Sequence, residues 1–323
     1  MKNKPSNNSI DFIGIGAQKA GTTWLYARLM ELPDFSLPPI KELHYFDRSK
    51  EYPSPNKLSE TKLINRLRSY HWVKSSTKRL FKEIREKKIN NFKWLLKWYF
   101  SNFNDQWYLS LFNSLNGIKG EISPSYSILK ENDIIEMHKI TSDSKLIFLL
   151  RNPVERAWSH FKFNMRKDPN FDIEMVDSKH IIEFINSEGQ ESRSNYIRTI
   201  EEYSKHYAKS NILICFFDAI KDNPLQLLSE IVSFVGGDAS IISSTCNLKE
   251  KTNLSKKIKI PDEVEIFLKE KYYLLIKKMS EDYGSYCLKW YTDLYLEKVK
   301  KSKKKKEILS PTIKLFNNAT KVG

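Results

Sequence analysis

The stretch Asp11-Phe-Ile-Gly-Ile-Gly-Ala-Gln-Lys-Ala-Gly-Thr-Thr-Trp-Leu25 restricts what the chain can fold into more than any other part of it. Phe12 to Ile15 is a short apolar run of the kind that forms a fully buried strand. Gly16 and Gly21 bracket a turn, and Thr22 opens a helix that runs to Glu31 and stops at Leu32-Pro33. A buried strand feeding a glycine turn and then a helix N-terminus aims backbone N–H groups and a helix dipole at one point. An anion such as a phosphate is stabilised there.

Two further apolar runs repeat the pattern. Lys145-Leu-Ile-Phe-Leu-Leu150 is the clearest buried parallel strand in the chain, and Asn211-Ile-Leu-Ile-Cys-Phe-Phe217 is another. Asn152 is a good N-cap and Pro153 suits a first helical position, so a helix starts as soon as the Lys145 strand ends. Arg151 therefore sits at the carboxyl end of a strand, where open α/β sheets bind ligands, with Ser159 about two turns along the helix. Helices are also predicted around Asp133 to Ile140, from Ser192 to Tyr207, from Asn223 to the glycine stop at Gly237, and from Pro261 to Met279. The alternation predicts an α/β fold: a three-layer, P-loop-like arrangement with a central parallel sheet flanked by helices.

At 323 residues, 40% hydrophobic and 13% aromatic, the chain has apolar mass enough for one domain, placed at residues 10–292. The segment Lys57–Lys97 departs from that composition, with 13 Lys/Arg against Glu60, Glu83 and Glu86, a net of +10. Leu63-Ile64-Leu67 and Leu80-Phe81-Ile84 have helical spacing, and Trp94, Trp98, Tyr99, Phe100 and Phe103 follow as an aromatic cluster. A basic helical insertion over about 50–104 is predicted, either docked by a hydrophobic underside or acting as a lid over an extended or acidic acceptor. Residues 293–323 read as a tail with seven lysines between Lys298 and Lys306. The overall charge of +15 points to an anionic ligand or surface without choosing one. Cys215, Cys246 and Cys287 are odd in number and lack metal-ligand spacing, as expected of free thiols in a reduced compartment. With no apolar signal core and no run of membrane-spanning length, the expectation is a cytoplasmic protein without a transmembrane segment.

The spacing of Gly16, Gly21 and Thr23 nearly matches the nucleotide-binding loop G-x-x-x-x-G-K-[ST], but Thr22 stands where that loop has its lysine. The lysine is instead Lys19, in mid-turn. A phosphoryl-transferring loop needs Lys on the β/γ-phosphates, Ser/Thr on Mg²⁺, and Asp at the end of a neighbouring strand. Here the neighbouring strand ends in Arg151, which repels a metal and attracts a second phosphate. The pattern suits a nucleotide with anionic groups at two places, bound without a metal.

With those residues in view, Gly16-Ala-Gln-Lys-Ala-Gly-Thr-Thr-Trp24 resembles the 5′-phosphosulfate-binding loop of the sulfotransferases, which use 3′-phosphoadenosine 5′-phosphosulfate (PAPS). Arg151-Asn-Pro-Val-Glu-Arg-Ala-Trp-Ser159 resembles their 3′-phosphate motif. Pro39-Ile-Lys-Glu-Leu-His-Tyr-Phe-Asp47 resembles the catalytic segment of the heparan-sulfate-type, carbohydrate branch, and Glu121-Ile-Ser-Pro-Ser-Tyr126 that branch's acceptor-contacting loop. The resemblance covers most of residues 11–290 and suggests a microbial member. It implies sulfuryl transfer from PAPS, with PAP as product and no metal, to an acceptor hydroxyl or amine on a glycan or glycolipid. By the same resemblance Lys19 stabilises the departing phosphate, Ala20, Gly21, Thr22 and Thr23 complete the cradle, and Trp24 stacks on adenine. Arg151 and Ser159 hold the 3′-phosphate, Glu42 is the general base, and His44 orients it or binds acceptor.

The sequence departs from the family pattern at Asn152, where Asp is usual, at Phe161, where many relatives have Tyr, and at Lys249-Glu-Lys-Thr-Asn253, which lacks the glycine-rich closing signature. Lys249 or Lys251 is the candidate nucleotide contact there. Tyr196 and Tyr203 read as core. The alternatives are a nucleotide-dependent kinase and a polyanion- or nucleic-acid-binding protein. The basic insertion and tail predict polyanion contact but no specific nucleic acid, because the charge lies outside any recognised motif.

Overall fold

The computed structural model describes residues 10–165, 176–248, 250, 258–296 and 309–315. At its centre are six strands: β1 (Phe12–Gly16), β2 (Phe35–Ser36), β3 (Ile118–Ile122), β4 (Lys145–Leu150), β5 (Ile212–Phe216) and β6 (Thr312–Lys314). They lie in the order β2-β3-β1-β4-β5-β6, and the first five pair in parallel. Every residue of β1 and β5 is buried, and in β4 only Lys145 is partly exposed. That is why these strands read as unbroken apolar runs: the sheet is covered on both faces by helices.

The order places β3 and β2 on one side of β1 and β4 and β5 on the other. Connections diverge at that point, which opens a crevice at the carboxyl ends of β1 and β4. The glycine turn leaves β1 into the helix Thr22–Met30, and Arg151 leaves β4 into the helix Pro153–Met165. Asn152 accepts from the Val154 N–H at 3.0 Å, which starts the second helix where the sequence places it.

Three features differ from the sequence reading. The helix expected over 192–207 is two helices, Glu188–Ser194 and Tyr196–His206, divided at Asn195. The Asn195 side chain accepts from the Arg198 N–H at 3.1 Å, so a capping residue begins a new helix rather than continuing the old one. The segment assigned to a tail returns to the sheet: β6 pairs antiparallel with β5, Ile214 opposite Ile313. The sheet is thus parallel except at that edge. The lysine run at 298–306 lies outside the described residues.

The segment 63–110 is helical, over Leu63–Leu67, Tyr70–Arg85 and Ile89–Tyr99 within the insertion and Asp105–Ser110 just after it. Its underside is aromatic: Trp94 and Trp98 stack at 5.4 Å, and Trp107 lies 5.2 Å from Trp98 and 4.3 Å from Phe103. Trp107 also meets Tyr45 at 5.9 Å, and Tyr45 OH donates to Asp105 at 2.6 Å. Through the helix Asp105–Ser110 this underside packs on the segment that carries Glu42.

Close packing beneath the sheet gives a test. Gly120 of β3 is in register with Phe12 of β1, and a Cβ at Gly120 would lie 2.3 Å from the Phe12 ring. Gly120→Ala should destabilise the fold by about 1–3 kcal/mol through overpacking, read as a lower denaturant midpoint at unchanged slope.

Candidate active site

Gly21 caps the helix Thr22–Met30 in a left-handed conformation, φ 91°. A Cβ there would lie 2.5 Å from Ile220 Cδ1 and 2.9 Å from the Phe217 ring, so glycine lets the turn close on the segment after β5. The helix has no side-chain cap hydrogen bond and no acidic residue in its first turn. Its leading N–H groups are left facing the crevice without a built-in counter-charge, which suits an anion.

Lys19 occupies the same turn at φ 70°, its Nζ 4.0 Å from the centroid of the Phe163 ring. Arg151 Nη1 donates to the Lys19 carbonyl at 3.3 Å, and its guanidinium lies 4.4 Å from the Phe217 ring centroid. Arg151 Nη2 also pairs with Glu155 at 3.0 Å. The turn and the β4 arginine, 132 residues apart, are thus in contact. Ala20 and Thr22 are buried, Thr23 is half-buried, and Ser159 is half-buried on the helix that Arg151 precedes. An uncapped helix start with one cationic side chain in its turn and another at the end of the adjacent strand fits a nucleotide carrying two phosphate groups. Trp24 is 3% exposed and packed in the core, its Nε1 unpartnered among the described residues. Lys249 and Lys251 lie outside the described residues.

Glu42 and His44 sit in the loop before the insertion, both at positive φ, 65° and 56°. Non-glycine residues hold that conformation only where surroundings enforce it. The loop is pinned: His44 N–H donates to Ser123 Oγ at 3.5 Å and Tyr45 N–H to Tyr126 OH at 3.0 Å. Ser123 N–H in turn donates to the Gly14 carbonyl at 2.9 Å, so the loop is referred through the end of β3 to β1. The Glu42 loop and the glycine turn therefore stand over neighbouring strand ends.

The His44 ring bridges two carboxylates. Nδ1 is 2.8 Å from Asp47 Oδ2 and 3.1 Å from Ser125 Oγ, and Nε2 is 3.5 Å from Glu42 Oε2. Lys41 Nζ pairs with the other Glu42 oxygen. Burial opposes charge on Glu42, but the His44 hydrogen bond and the Lys41 ammonium overcome it and hold the carboxyl down at about 2. Burial likewise opposes a proton on His44, but Asp47 and then Glu42 raise it to about 9. At neutral pH the pair is carboxylate and imidazolium.

Several of these groups have no individual role in the sequence reading, which, Glu42 and His44 apart, takes 39–47 and 121–126 only as segments, by resemblance. Asp47 lies three residues after His44, a signal available in the sequence; Ser125 and Ser123 come to His44 only through the fold. Glu121, 2% exposed, accepts from Tyr108 OH at 2.6 Å, Ser123 Oγ at 2.7 Å and Tyr126 OH at 3.0 Å. Burial pushes its carboxyl above the usual range against the pull of those three donors. Tyr196 and Tyr203 are buried as expected, but their hydroxyls donate to the backbone carbonyls of Arg151 and Tyr126, each at 2.8 Å. Among the described residues no three His, Cys, Asp or Glu side chains are grouped to hold a metal, and no helix is long and apolar enough to cross a membrane.

Fold and site together define a mostly parallel α/β protein with a glycine turn at a helix start and two cationic side chains, Lys19 and Arg151, at the switch between β1 and β4. The sulfotransferase domain family matches residues 9–286, and the chain belongs to that family, whose enzymes use PAPS. The kinase alternative falls with that assignment. Among solved structures, the sulfotransferase from Alicyclobacillus acidocaldarius is similar at TM-score 0.56 and 16% identity, over 84% of this chain and 94% of that one. The sulfotransferase domain of the Synechococcus PCC 7002 olefin synthase gives 0.48 and 18%, over 84% and 98%. Mouse sulfotransferase SULT7A1, solved with PAP, gives 0.44 and 16%, over 87% and 88%. At such identities the likeness is one of fold. No curated protein matches the chain by sequence.

The ionic pair sets a pH signature. Its contribution to stability is full between the ordinary values of 4.5 and 6.5, is lost as pH falls through about 2 at Glu42, and is lost as pH rises through about 9 at His44. In an NMR titration the His44 ring should change protonation near pH 9. Glu42→Gln removes an anionic neighbour and should bring that midpoint down toward 6.5.

Proposed function

We propose that the protein moves a sulfuryl group from PAPS to a hydroxyl of a carbohydrate acceptor, a glycan or a glycolipid, with Glu42 as general base. One arrangement carries the reading: the Lys19 turn meets Arg151 at the switch point, while an ionised Glu42 stands in the loop pinned beside the same strand ends. The carbohydrate acceptor rests on the likeness of the 39–47 segment to the heparan-sulfate-type branch.

PAPS, when bound, supplies a sulfuryl group activated by a phosphate leaving group. Lys19 and the N–H groups from Ala20 to Thr23, with the Thr22 and Thr23 hydroxyls, would hold the 5′ end and balance charge on the leaving oxygen. Arg151 and Ser159 would hold the 3′-phosphate, an interaction for which a guanidinium is well shaped. Trp24 is left to the core in this reading, since its ring is buried. Glu42 takes the acceptor hydroxyl proton as that oxygen bonds to sulfur. Held at about 2, it is a weak base at rest; an acceptor that displaces the Lys41 ammonium raises its basicity where the proton is taken. His44, charged and fixed by Asp47, orients Glu42 and offers a cation to an acidic acceptor.

Kinetics and PAP binding on purified variants test the assignment. Glu42→Gln should lower kcat by about 10²–10⁴-fold with PAP affinity unchanged. Lys19→Ala should lower kcat by about 10²–10³-fold. Arg151→Ala should act mainly on the nucleotide, weakening PAP binding by about ten- to a hundredfold in calorimetry. Near-normal turnover by Glu42→Gln would remove Glu42 from the mechanism.

A further inference from the structure

The insertion presents a second apolar face that the active site does not use. Helix Tyr70–Arg85 buries Ser76, Leu80 and Glu83 inward, and Trp72 packs its ring on Tyr99 and Phe103. Tyr70, Val73, Thr77, Phe81 and Ile84 succeed one another at steps of three and four residues, which aligns them in one stripe on a different side of the helix. That stripe faces solvent: Tyr70 and Phe81 are 70% exposed, Ile84 55% and Val73 38%. Ile64 and Leu67 on the preceding helix and Ile89 on the following one are exposed as well. Lys74, Lys78, Lys82 and Arg85, all exposed, run along the flank of the stripe.

Charge selects the occupant of this face. Residues 57–97 carry a net +10, so a second copy of the chain would bring like charge against like. A nucleic acid answers the lysines but gives Val73, Ile84 and Ile89 no apolar counterpart. A bilayer surface containing anionic lipids answers both, with headgroups on the cations and the stripe at the headgroup–acyl boundary. We propose that the outer face of helix Tyr70–Arg85 docks the protein on an anionic membrane surface. The helix lies in the membrane plane, Phe81 and Ile84 sit below the headgroups, and Lys74, Lys78, Lys82 and Arg85 lie among them. The proposal does not depend on which acceptor is sulfated.

Co-sedimentation of the full-length protein with vesicles of phosphatidylcholine, alone and mixed with phosphatidylserine, tests this, alongside retention on heparin. The protein should bind the mixed vesicles and not phosphatidylcholine alone. Phe81→Ser with Ile84→Ser, both at exposed positions, should weaken vesicle binding by about tenfold or more and leave heparin retention unchanged. Lys74→Glu with Lys78→Glu should weaken both. Equal vesicle binding by the parent and the Phe81/Ile84 variant would overturn the proposal, because the affinity would then be one of charge alone. Retention on heparin without binding to the mixed vesicles would overturn it too, and would give the face to a soluble polyanion.

Discussion

The structure around the candidate site depends on a carboxylate that water does not reach. Glu121 collects three hydroxyl groups, from Tyr108 in the helix Asp105–Ser110 and from Ser123 and Tyr126 just after β3. Ser123 and Tyr126 are the groups that receive the His44 and Tyr45 N–H. A buried carboxylate without donors is among the costlier defects a fold can carry, and each orphaned hydroxyl adds about 1–3 kcal/mol. The network therefore holds together or fails together. Glu42 and His44 keep their left-handed backbone because the hydroxyls that anchor their loop are themselves fixed by Glu121.

The same economy of environment separates two histidines. His44, between Asp47 and Glu42, is raised to about 9 and stays charged. His160 is also buried, and burial holds it down at about 3; its hydrogen bond with Gln190 pulls the other way, but Arg156, Arg193 and Lys19 add cationic repulsion. The Lys19 side of the crevice is thus electropositive enough to help keep a histidine neutral, whereas the Glu42 side holds an imidazolium between carboxylates. A substrate with anionic ends and a reacting hydroxyl beside Glu42 meets complementary potentials at both places.

What could be read in the sequence follows from where the physics is local. β1, β4 and β5 are buried on both faces, so their composition alone marks them. Edge strands have no such mark: β2 is two residues long, and β6 joins the sheet after a lysine-rich stretch that dominates the local composition. The turn at Lys19 and the arginine at Arg151 were legible because glycine spacing and strand ends are sequence features; their contact is not, since it is made across 132 residues. Glu42 was legible only by resemblance to a known segment. The serines that meet its neighbour His44, Ser123 and Ser125, and the hydroxyl net under Glu121 are set by the register of β3 against β1, which no local pattern encodes. The break at Asn195 shows the reverse case: a local capping residue divides a stretch, Ser192 to Tyr207, that reads as one helix.

The insertion itself is tolerated for a reason visible at its neck. Phe103 N–H donates to the Thr61 carbonyl at 2.9 Å and Leu63 N–H to Asn102 Oδ1 at 2.8 Å, so the chain leaves and returns at one point. Arg66 closes that point: its guanidinium lies 3.5 Å from the Phe103 ring centroid and bonds the carbonyls of Glu60 and Ser101. Burial lowers its pKa to about 10, which leaves it charged at neutral pH. A segment whose ends are already together adds little closure cost to the domain that carries it. These clasped ends bound the segment 61–103. Asp105, Trp107 and Tyr108, which touch Tyr45 and Glu121, belong to the scaffold of the site rather than to the insertion. The insertion's helices are anchored at this neck and on the aromatic layer around Trp107, and that layer in turn holds Tyr45 of the Glu42 loop.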